Sequence, residues 1–183
     1  MALLIFGKAG RNFTILSMYL DIIQMSMDGN IEVIGVMVNP VQMAWDTRGR
    51  LWVAVWPNYP ERTPTSKVGD KLLIYEDTNG DGKADKQTIF ARGLHLPLSF
   101  EFAPEGVYLS QSSHLELLRY TDGKMLVNRQ EVILSGFDDH DTHHAIHAFQ
   151  ADPSGAFTMG EGTFLHSHVE TAYGVERSTN GGW

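Results

Sequence analysis

The sequence contains no cysteine, and this absence excludes several kinds of site. Without thiols the chain forms no disulfide, no zinc–thiolate centre and no covalent c-type haem attachment, and it has no cysteine nucleophile. It also lacks a run of about 18 apolar residues, the length that a membrane-spanning helix needs. Ala2–Phe6 is too short for the apolar region of a secretory signal. No membrane span is therefore expected in this sequence.

Positive charge is scarce relative to negative charge. The chain has 14 lysine and arginine residues against 22 aspartate and glutamate residues, so its formal net charge is −8. A nucleic-acid partner is not expected, because binding to phosphates requires a basic surface. Hydrophobic residues make up 43% of the chain and charged residues 20%, which is typical of a folded globular protein.

The sequence does contain a repeat. Three segments share one pattern: a run that alternates apolar and polar residues, a turn closed by glycine, and a second run with an aromatic residue. Alternation is typical of a strand with one buried face, and glycine suits the left-handed backbone of hairpin turns. Each segment therefore predicts a β-hairpin. The segments are Val41–Val53, Leu98–Leu109 and Ile146–Thr158, with turn glycines Gly49, Gly106 and Gly155.

A second repeat separates the hairpins. Lys71–Glu76 and Leu115–Tyr120 predict third strands, and Gln87–Phe90 and Glu131–Leu134 predict fourth strands. Four strands in roughly 40–55 residues is the spacing of a β-propeller blade. We predict an all-β fold, a partial β-propeller of about three four-stranded blades. An all-β sandwich is the alternative.

The propeller domain is predicted to cover residues 36–183. Residues 1–35 fit the repeat poorly and are predicted to be an irregular or non-native segment, with Met18–Met27 as a candidate short helix. A closed propeller has about 4–8 blades, so we expect a truncated propeller whose missing blades would follow Trp183. Such a fragment is expected to be inactive alone.

The segment Asp77–Asp85 resembles the first nine positions of an EF-hand calcium loop. Oxygen-bearing side chains occupy positions 1, 3, 5 and 9, and glycine occupies position 6, where the loop turns sharply. Position 12 is Thr88 instead of glutamate, so Glu76 or another group would have to complete the shell. An Asx-rich turn without metal is the alternative. The candidate metal-site residues are Asp77, Asn79, Asp81, Lys83 and Asp85.

Six of the eight histidines lie within 29 residues, interspersed with carboxylates. Such a cluster suits either a metal site built on imidazole nitrogens or a general base tuned by a carboxylate. The candidate site residues are His140, His143, His144, His147, His166 and His168.

One pair in this segment is predicted to be catalytic. His144 precedes the first strand of the third hairpin, and Glu161 follows its second strand. Because the two ends of a hairpin lie side by side, we expect Glu161 to orient His144, which would act as the base in an alcohol oxidation. The sequence has no Rossmann glycine motif, so the hydride acceptor is not expected to be a nicotinamide.

Taken together, the motifs resemble the propeller domain of planctomycete-type membrane-bound dehydrogenases. They are more distantly similar to the soluble quinoprotein glucose and sorbosone dehydrogenases. The resemblance runs from about Glu32 to Trp183. The motifs that carry it are Asn39–Asp46, Gly49–Ala54, Glu76–Lys86, Asp141–His144 and Glu161–Phe164.

The resemblance implies a periplasmic or extracellular enzyme that oxidises a sugar or another alcohol. It also implies calcium and pyrroloquinoline quinone as cofactors, and a cytochrome c domain or protein as electron acceptor. His144 matches the family's base and Glu161 its orienting carboxylate. The glutamine that contacts the quinone in those dehydrogenases falls at Leu94 or His95, a departure from the family pattern. The alternatives are a non-catalytic calcium-binding propeller for polysaccharide or protein, and a transition-metal site on the histidines.

Overall fold

The computed structural model describes residues 39–62, 69–121 and 124–179, together with the backbone of four strands between residues 3 and 36. The described residues form β-strands and one 3₁₀ turn, Thr142–His144. No helix among them is long and apolar enough to cross a membrane. The strands are β1 (Leu3–Phe6), β2 (Phe13–Leu16), β3 (Asp21–Met25), β4 (Ile31–Val36), β5 (Pro40–Trp45), β6 (Leu51–Val55), β7 (Asp70–Glu76), β8 (Lys86–Leu94), β9 (Phe100–Ala103), β10 (Gly106–Gln111), β11 (His114–Arg119), β12 (Arg129–Ser135), β13 (His147–Ala151), β14 (Phe157–Gly160), β15 (His166–Thr171) and β16 (Gly174–Thr179).

The first blade is the sheet β5–β6–β7–β8, in which each strand pairs antiparallel with the next. Successive residues of a strand point to opposite faces of the sheet. On one face Trp52 and Leu72 belong to the largest core cluster, and on the other Val53 and Leu73 belong to a second cluster. The strand β6 is therefore buried along its whole length.

The second blade, β9–β10–β11–β12, packs face to face against the first. Phe100 and Leu109 of this blade share the largest core cluster with Trp52. On the opposite face, Leu115 packs with Phe149 of the third hairpin. Sheets stacked in this way form a partial β-propeller, which confirms the predicted fold class.

The third blade is divided between two sheets. The hairpin β13–β14 is a sheet of its own, whereas the hairpin β15–β16 joins β12 through the pair Ser135 and Glu170. The amide of His168 also donates to the carbonyl of Gly136 over 3.0 Å. A Cβ atom at Gly136 would collide with the His168 carbonyl, so this approach requires glycine. The third blade is thus not the single four-stranded sheet that the repeat predicts.

The hairpin turns repeat at the level of single hydrogen bonds. The amide of Gly49 donates to the carbonyl of Asp46 over 3.0 Å, and Gly155 donates to Asp152 over the same distance. Both glycines have positive φ angles, +77° and +89°, a conformation that side-chain-bearing residues rarely adopt. The first and third hairpins therefore share one turn type, as their sequences predict.

The turns between third and fourth strands repeat in the same way. The amide of Thr78 donates to the Asp85 side chain over 3.1 Å, and the amide of Thr121 donates to the Asn128 side chain over 3.1 Å. Each pair is separated by seven residues. These matching bonds confirm the second repeat.

The connections between strands emerge alternately at two opposite ends of the blades, because consecutive strands run antiparallel. We name these ends by their contents. The turn end consists of residues 46–50, 77–85 and 152–156. The histidine end consists of residues 56–62, 112–113, 136–146 and 161–165. The two candidate sites, the calcium-type loop and the histidine segment, consequently lie at opposite ends.

The N-terminal residues differ from their prediction. The strands β1–β4 pair in chain order as an antiparallel sheet, so the described part of this segment is not irregular, and the non-native alternative stays a prediction. The candidate helix Met18–Met27 is also wrong, because Asp21–Met25 is a strand. Isoleucine and valine are frequent here, and β-branched side chains favour extended backbone. The domain boundary at residue 36 stays a prediction.

Candidate functional site

The histidine end is built on the connection 136–146, which carries three of the candidate histidines. Its 3₁₀ turn follows Asp141, and the amide of His144 donates to the Asp141 carbonyl over 3.0 Å. The hydroxyl of Thr142 donates to the carbonyl of Pro60 over 2.6 Å. This bond fastens the histidine turn to the connection that leaves the first blade.

Asp141 lies between two histidine rings. Its Oδ1 atom is 2.9 Å from Nδ1 of His143, and its Oδ2 atom is 2.9 Å from Nδ1 of His144. The centroids of the two rings are 4.3 Å apart. Nδ1 of His144 is buried, and its contact with Asp141 is not an aligned hydrogen bond. A carboxylate beside Nδ1 helps to fix the orientation of an imidazole ring.

The two ends of the third hairpin lie side by side, as its strands predict. The amide of Gly162 donates to the carbonyl of His144 over 2.8 Å. A Cβ atom at Gly162 would overlap Cβ and Cγ of His144 and lie 2.8 Å from Cδ2. Glu161, the preceding residue, accepts a hydrogen bond from the buried hydroxyl of Ser167. The carboxylate that contacts Nδ1 of His144 is that of Asp141, and the orienting role of Glu161 stays a prediction.

A second group of contacts holds the connections together. The guanidinium of Arg62 binds the carboxylate of Asp139 at 3.0 and 3.2 Å, and the hydroxyl of Ser112 donates to the same carboxylate. Burial would raise the pKa of Asp139, but the bonds from Arg62 and Ser112 outweigh it and hold the pKa below its ordinary value. Asp139 therefore joins the first two blades to the histidine connection as a carboxylate.

Asp138 positions two of the histidines. Its Oδ1 atom is 2.8 Å from Nδ1 of His140, and its Oδ2 atom accepts the amide of His166 over 2.9 Å. Its own amide donates to the hydroxyl of Ser167 over 2.8 Å. Burial would raise the pKa of Asp138, but hydrogen bonds from the amides of His140 and His166 and from the His140 ring hold it below its ordinary value.

An open cleft of about 770 Å³ lies beside the histidine turn. Arg62 and His140 contribute charged or polar groups to its wall, as do Asp141 and His143. Phe164 also lines it and is 70% exposed. A polar wall with one exposed aromatic ring suits a small hydrophilic ligand.

The remaining candidate histidines, His147, His166 and His168, are not among the residues that line the cleft. Nδ1 of His147 bonds the carbonyl of Ala145 over 2.7 Å. His166 and His168 lie on the exposed face of β15, where they alternate with buried residues. In the described ranges, one set of three metal-binding side chains has its ligating atoms within 4.8 Å of one another: Asp141, His143 and His144.

The calcium-type loop folds around its own backbone. Asp77 accepts the amides of Gly80 and Gly82 over 2.7 and 2.8 Å, and Asp81 accepts the amide of Lys83 over 2.8 Å. The bond from Gly82 is the main cause that lowers the pKa of Asp77, so this side chain is charged at neutral pH. These bonds leave further lone pairs on the carboxylates for a cation.

The other groups of the loop are also paired. Asn79 accepts the amide of Asp81 over 2.9 Å, and the hydroxyl of Thr78 lies 2.8 Å from both oxygens of Asp85. Glu76 forms an ion pair with a lysine, Lys86, at 2.9 Å. Asx turns of this kind form with or without a metal, so calcium at this loop stays a prediction.

Comparison with protein families places these residues in context. Residues 20–182 match the family described as domain of unknown function DUF7133. The chain belongs to this family. The DUF7133 match begins within the N-terminal segment and continues through all three hairpins of the repeat. No curated protein sequence matches the chain.

Several solved structures share the propeller fold of this DUF7133 domain. A luciferin-regenerating enzyme gives a TM-score of 0.64 at 12% identity, over 96% of this chain and 61% of that one. Regucalcin from Agrobacterium tumefaciens C58, a calcium-binding protein, gives 0.60 at 14%, over 93% and 57%. A gluconolactonase from Xanthomonas campestris gives 0.58 at 16%, over 93% and 59%. This chain spans about three fifths of each, and at these identities the likeness establishes the fold alone.

Sequence reasoning missed several residues of the histidine end. Arg62 and Ser112 bond Asp139 across 77 and 27 positions of sequence, and Ser167 bonds Glu161 from the next strand. No local pattern marks Arg62 or Ser112. For Ser167 the strand pattern gives a signal. Alternate residues of β15 are exposed and buried, and Ser167 falls on the buried face.

Proposed function

We propose that this DUF7133 domain is the propeller of an enzyme that oxidises a sugar or another alcohol, as in the planctomycete-type dehydrogenases that it resembles. The observation that carries the proposal is the contact between Asp141 and His144, next to an open polar cleft. Connections from successive blades meet at this end, and ligand sites of enzymes commonly lie where such loops converge on a rigid scaffold.

The pair suits proton removal from a hydroxyl group. Oxidation of an alcohol takes a proton from oxygen and a hydride from the adjoining carbon. His144 would accept the proton at Nε2, while Asp141, 2.9 Å from Nδ1, would orient the ring. Arg62 and His140, which line the cleft, would bind other hydroxyl groups of the substrate. In this proposal the hydride, with its two electrons, would pass to a two-electron redox cofactor, which would then reduce cytochrome c one electron at a time in the periplasm or outside the cell.

Pyrroloquinoline quinone does not fit the residues present at the position that the resemblance indicates. Leu94 is a core side chain with 4% exposure, and neither Leu94 nor His95 offers the amide of the expected glutamine. The amide of His95 donates to Gln111 over 3.1 Å. No step of the proposed mechanism runs through this quinone, and a different acceptor is required.

Calcium is proposed as a structural ion at the turn end. The charged side chain of Asp77 and the bent backbone at Gly82 suit the first and sixth positions of a calcium loop, and the regucalcin structure belongs to a calcium-binding protein. The glutamate of position 12 is replaced by Thr88, which predicts modest affinity. Because the loop lies opposite the histidine end, this ion would stabilise the fold without touching substrate.

The experiment measures dye-linked oxidation of a panel of sugars by the protein that carries this domain. We expect His144→Ala to lower kcat by roughly 10²–10⁴-fold, the range for loss of a general base. His166→Ala is the matched control, because the exposed side chain of His166 does not line the cleft, and its bond to Asp138 is made by the backbone amide, which alanine retains. Unchanged turnover in His144→Ala would remove this residue from the mechanism.

A second candidate function is a non-catalytic calcium-binding propeller that binds polysaccharide or protein. The calcium-type loop supports this candidate. Backbone amides hold the carboxylates of Asp77 and Asp81 in place, and the loop lies at the end opposite the histidines, so a calcium ion there would take no part in catalysis. Calcium-dependent binding to a polysaccharide array without dye reduction would support this candidate. If the protein hydrolyses a sugar lactone and does not reduce the dye, the proposed function would change from an alcohol-oxidising enzyme to a hydrolase.

A further inference from the structure

We propose that Asp141, His143 and His144 form a binding site for a divalent transition-metal ion. One ligating atom from each of the three lies within 4.8 Å of the other two. In a tetrahedral zinc site the ligand atoms lie roughly 3.4 Å apart, since each bond is about 2.1 Å long. Small rotations of these side chains therefore suffice to close the set around an ion.

The backbone presents the three side chains together. Asp141 precedes the 3₁₀ turn and both histidines belong to it, so all three ligands lie within four successive residues, and the bond from Thr142 to the Pro60 carbonyl holds the turn against the first blade. The buried Nδ1 atom of His144 makes no aligned hydrogen bond, so its lone pair is available to a cation. Asp141 supplies the negative charge between the two rings.

The chemistry of the ligands selects the kind of ion. Two imidazole nitrogens and one carboxylate oxygen are the donors that zinc, copper, iron and nickel prefer, whereas calcium takes oxygen ligands. Three protein ligands leave a coordination position for water or substrate, and Asp141 and His143 line the open cleft. This site is distinct from the loop Asp77–Asp85, which lies at the opposite end of the blades.

The ion has a consequence for the proposed oxidation. A neutral imidazole that gives its Nδ1 lone pair to a metal carries its proton on Nε2, so His144 cannot accept a proton there while the site is filled. Added zinc is therefore expected to inhibit turnover. This consequence rests on the proposed function, whereas binding of the ion does not.

The test uses the full chain, stripped with a chelator and titrated calorimetrically with zinc. We expect one zinc ion per chain, with affinity at least about tenfold lower in His143→Ala and in Asp141→Asn. His166→Ala is the matched control and should bind as the parent chain does, because His166 lies outside the set. Binding of cobalt, followed by visible absorption, reports directly on coordination. Far-UV circular dichroism verifies that each variant is folded.

The outcomes separate the two proposals. No zinc binding by the parent chain, or undiminished binding by folded His143→Ala and Asp141→Asn, would overturn the metal site and leave the oxidation intact. Loss of binding in both variants, with retention in His166→Ala, supports the metal site whether or not any sugar is oxidised.

Discussion

The two ends of the blades satisfy their polar groups in different ways. At the turn end the partners are close in sequence, as with Asp46, which binds Arg50 at 2.6 Å and Trp52 at 2.9 Å. At the histidine end Asp141 also has local partners, His143 and His144, but other partners come from distant parts of the chain, as with Arg62 and Asp139, 77 residues apart. The turn end is therefore built from local motifs, whereas the histidine end combines a local turn with contacts that form only when the blades stack.

This difference bears on stability and function. A local turn keeps its geometry wherever it occurs, which is why Asp46 and Asp152 can repeat one turn in two hairpins. The histidine end instead depends on loops from several blades, and sites assembled in this way hold side chains at positions that no single segment encodes. The contacts of Asp139 with Arg62 and Ser112 thus describe the assembled end in a way that the local turns do not.

The largest expected effect is at the turn end, in Asp46→Ala. This substitution removes the acceptor for Arg50 and for the indole N–H of Trp52, and it leaves both groups largely buried without a partner. We expect a loss of about 3 kcal/mol in the free energy of unfolding, as when one partner of a buried ion pair is removed. Urea unfolding followed by tryptophan fluorescence measures the change.

The matched control is Asp152→Ala in the third hairpin. Asp152 occupies the same place in the turn, but its exposed side chain bonds Ser154 instead of a buried pair. We expect Asp152→Ala to lower the free energy of unfolding much less than Asp46→Ala does. Equal effects at the two positions would mean that the turn itself, and not the buried partners of Asp46, determines stability.

The fold was predictable because it repeats. Each predicted hairpin and each predicted third or fourth strand is present. Alternating burial and turn glycines such as Gly49 and Gly155 determine backbone conformation within a few residues, so they can be recognised from a short stretch of sequence. The pairing of β15 with β12 was not predictable, because it depends on the close approach of Gly136 and His168. The strands within residues 3–36 were missed, since they share no motif with the later blades.

The candidate site was predictable in part. Hairpin geometry correctly predicted that the two ends of the third hairpin lie side by side, and there the amide of Gly162 bonds the carbonyl of His144; the predicted contact between Glu161 and His144 stays a prediction. That geometry did not indicate that Asp141 would contact Nδ1 of His144, because that contact depends on the 3₁₀ turn. The role of Arg62 was beyond sequence reasoning, since its partner Asp139 lies 77 residues further along the chain.

A smaller effect is expected at the histidine end, in Gly162→Ala. The added methyl group would overlap Cβ and Cγ of His144, so the ring must move. Overpacking of this kind costs typically about 1–3 kcal/mol, and here it should also displace His144 from Asp141. Urea unfolding measures the first effect, and the NMR chemical shifts of the His144 ring report the second.

Gly160→Ala is the matched control for this prediction. Gly160 is two residues earlier, and a Cβ atom there would meet Ala148 and His147 only at 3.7 Å, which is ordinary contact. We expect little change in stability and none in the His144 ring. If both variants behave alike, the contact between Gly162 and His144 does not constrain the site.

The smallest expected effect concerns pH and the pair Arg62–Asp139. The pKa of Asp139 is held below its ordinary value of 3.8 in the folded chain, despite burial, by Arg62 and Ser112. The unfolded chain therefore binds the proton more readily, and the stabilisation that is present above pH 3.8 is lost as the pH falls through the folded pKa.

Since Arg62 is partly exposed, we expect Asp139→Asn to lower the free energy of unfolding by about 1 kcal/mol at neutral pH. Urea unfolding from about pH 7 to about pH 3 should show this difference shrinking as Asp139 is protonated. A difference that stays constant with pH would mean that the charge of Asp139 does not hold the histidine end together.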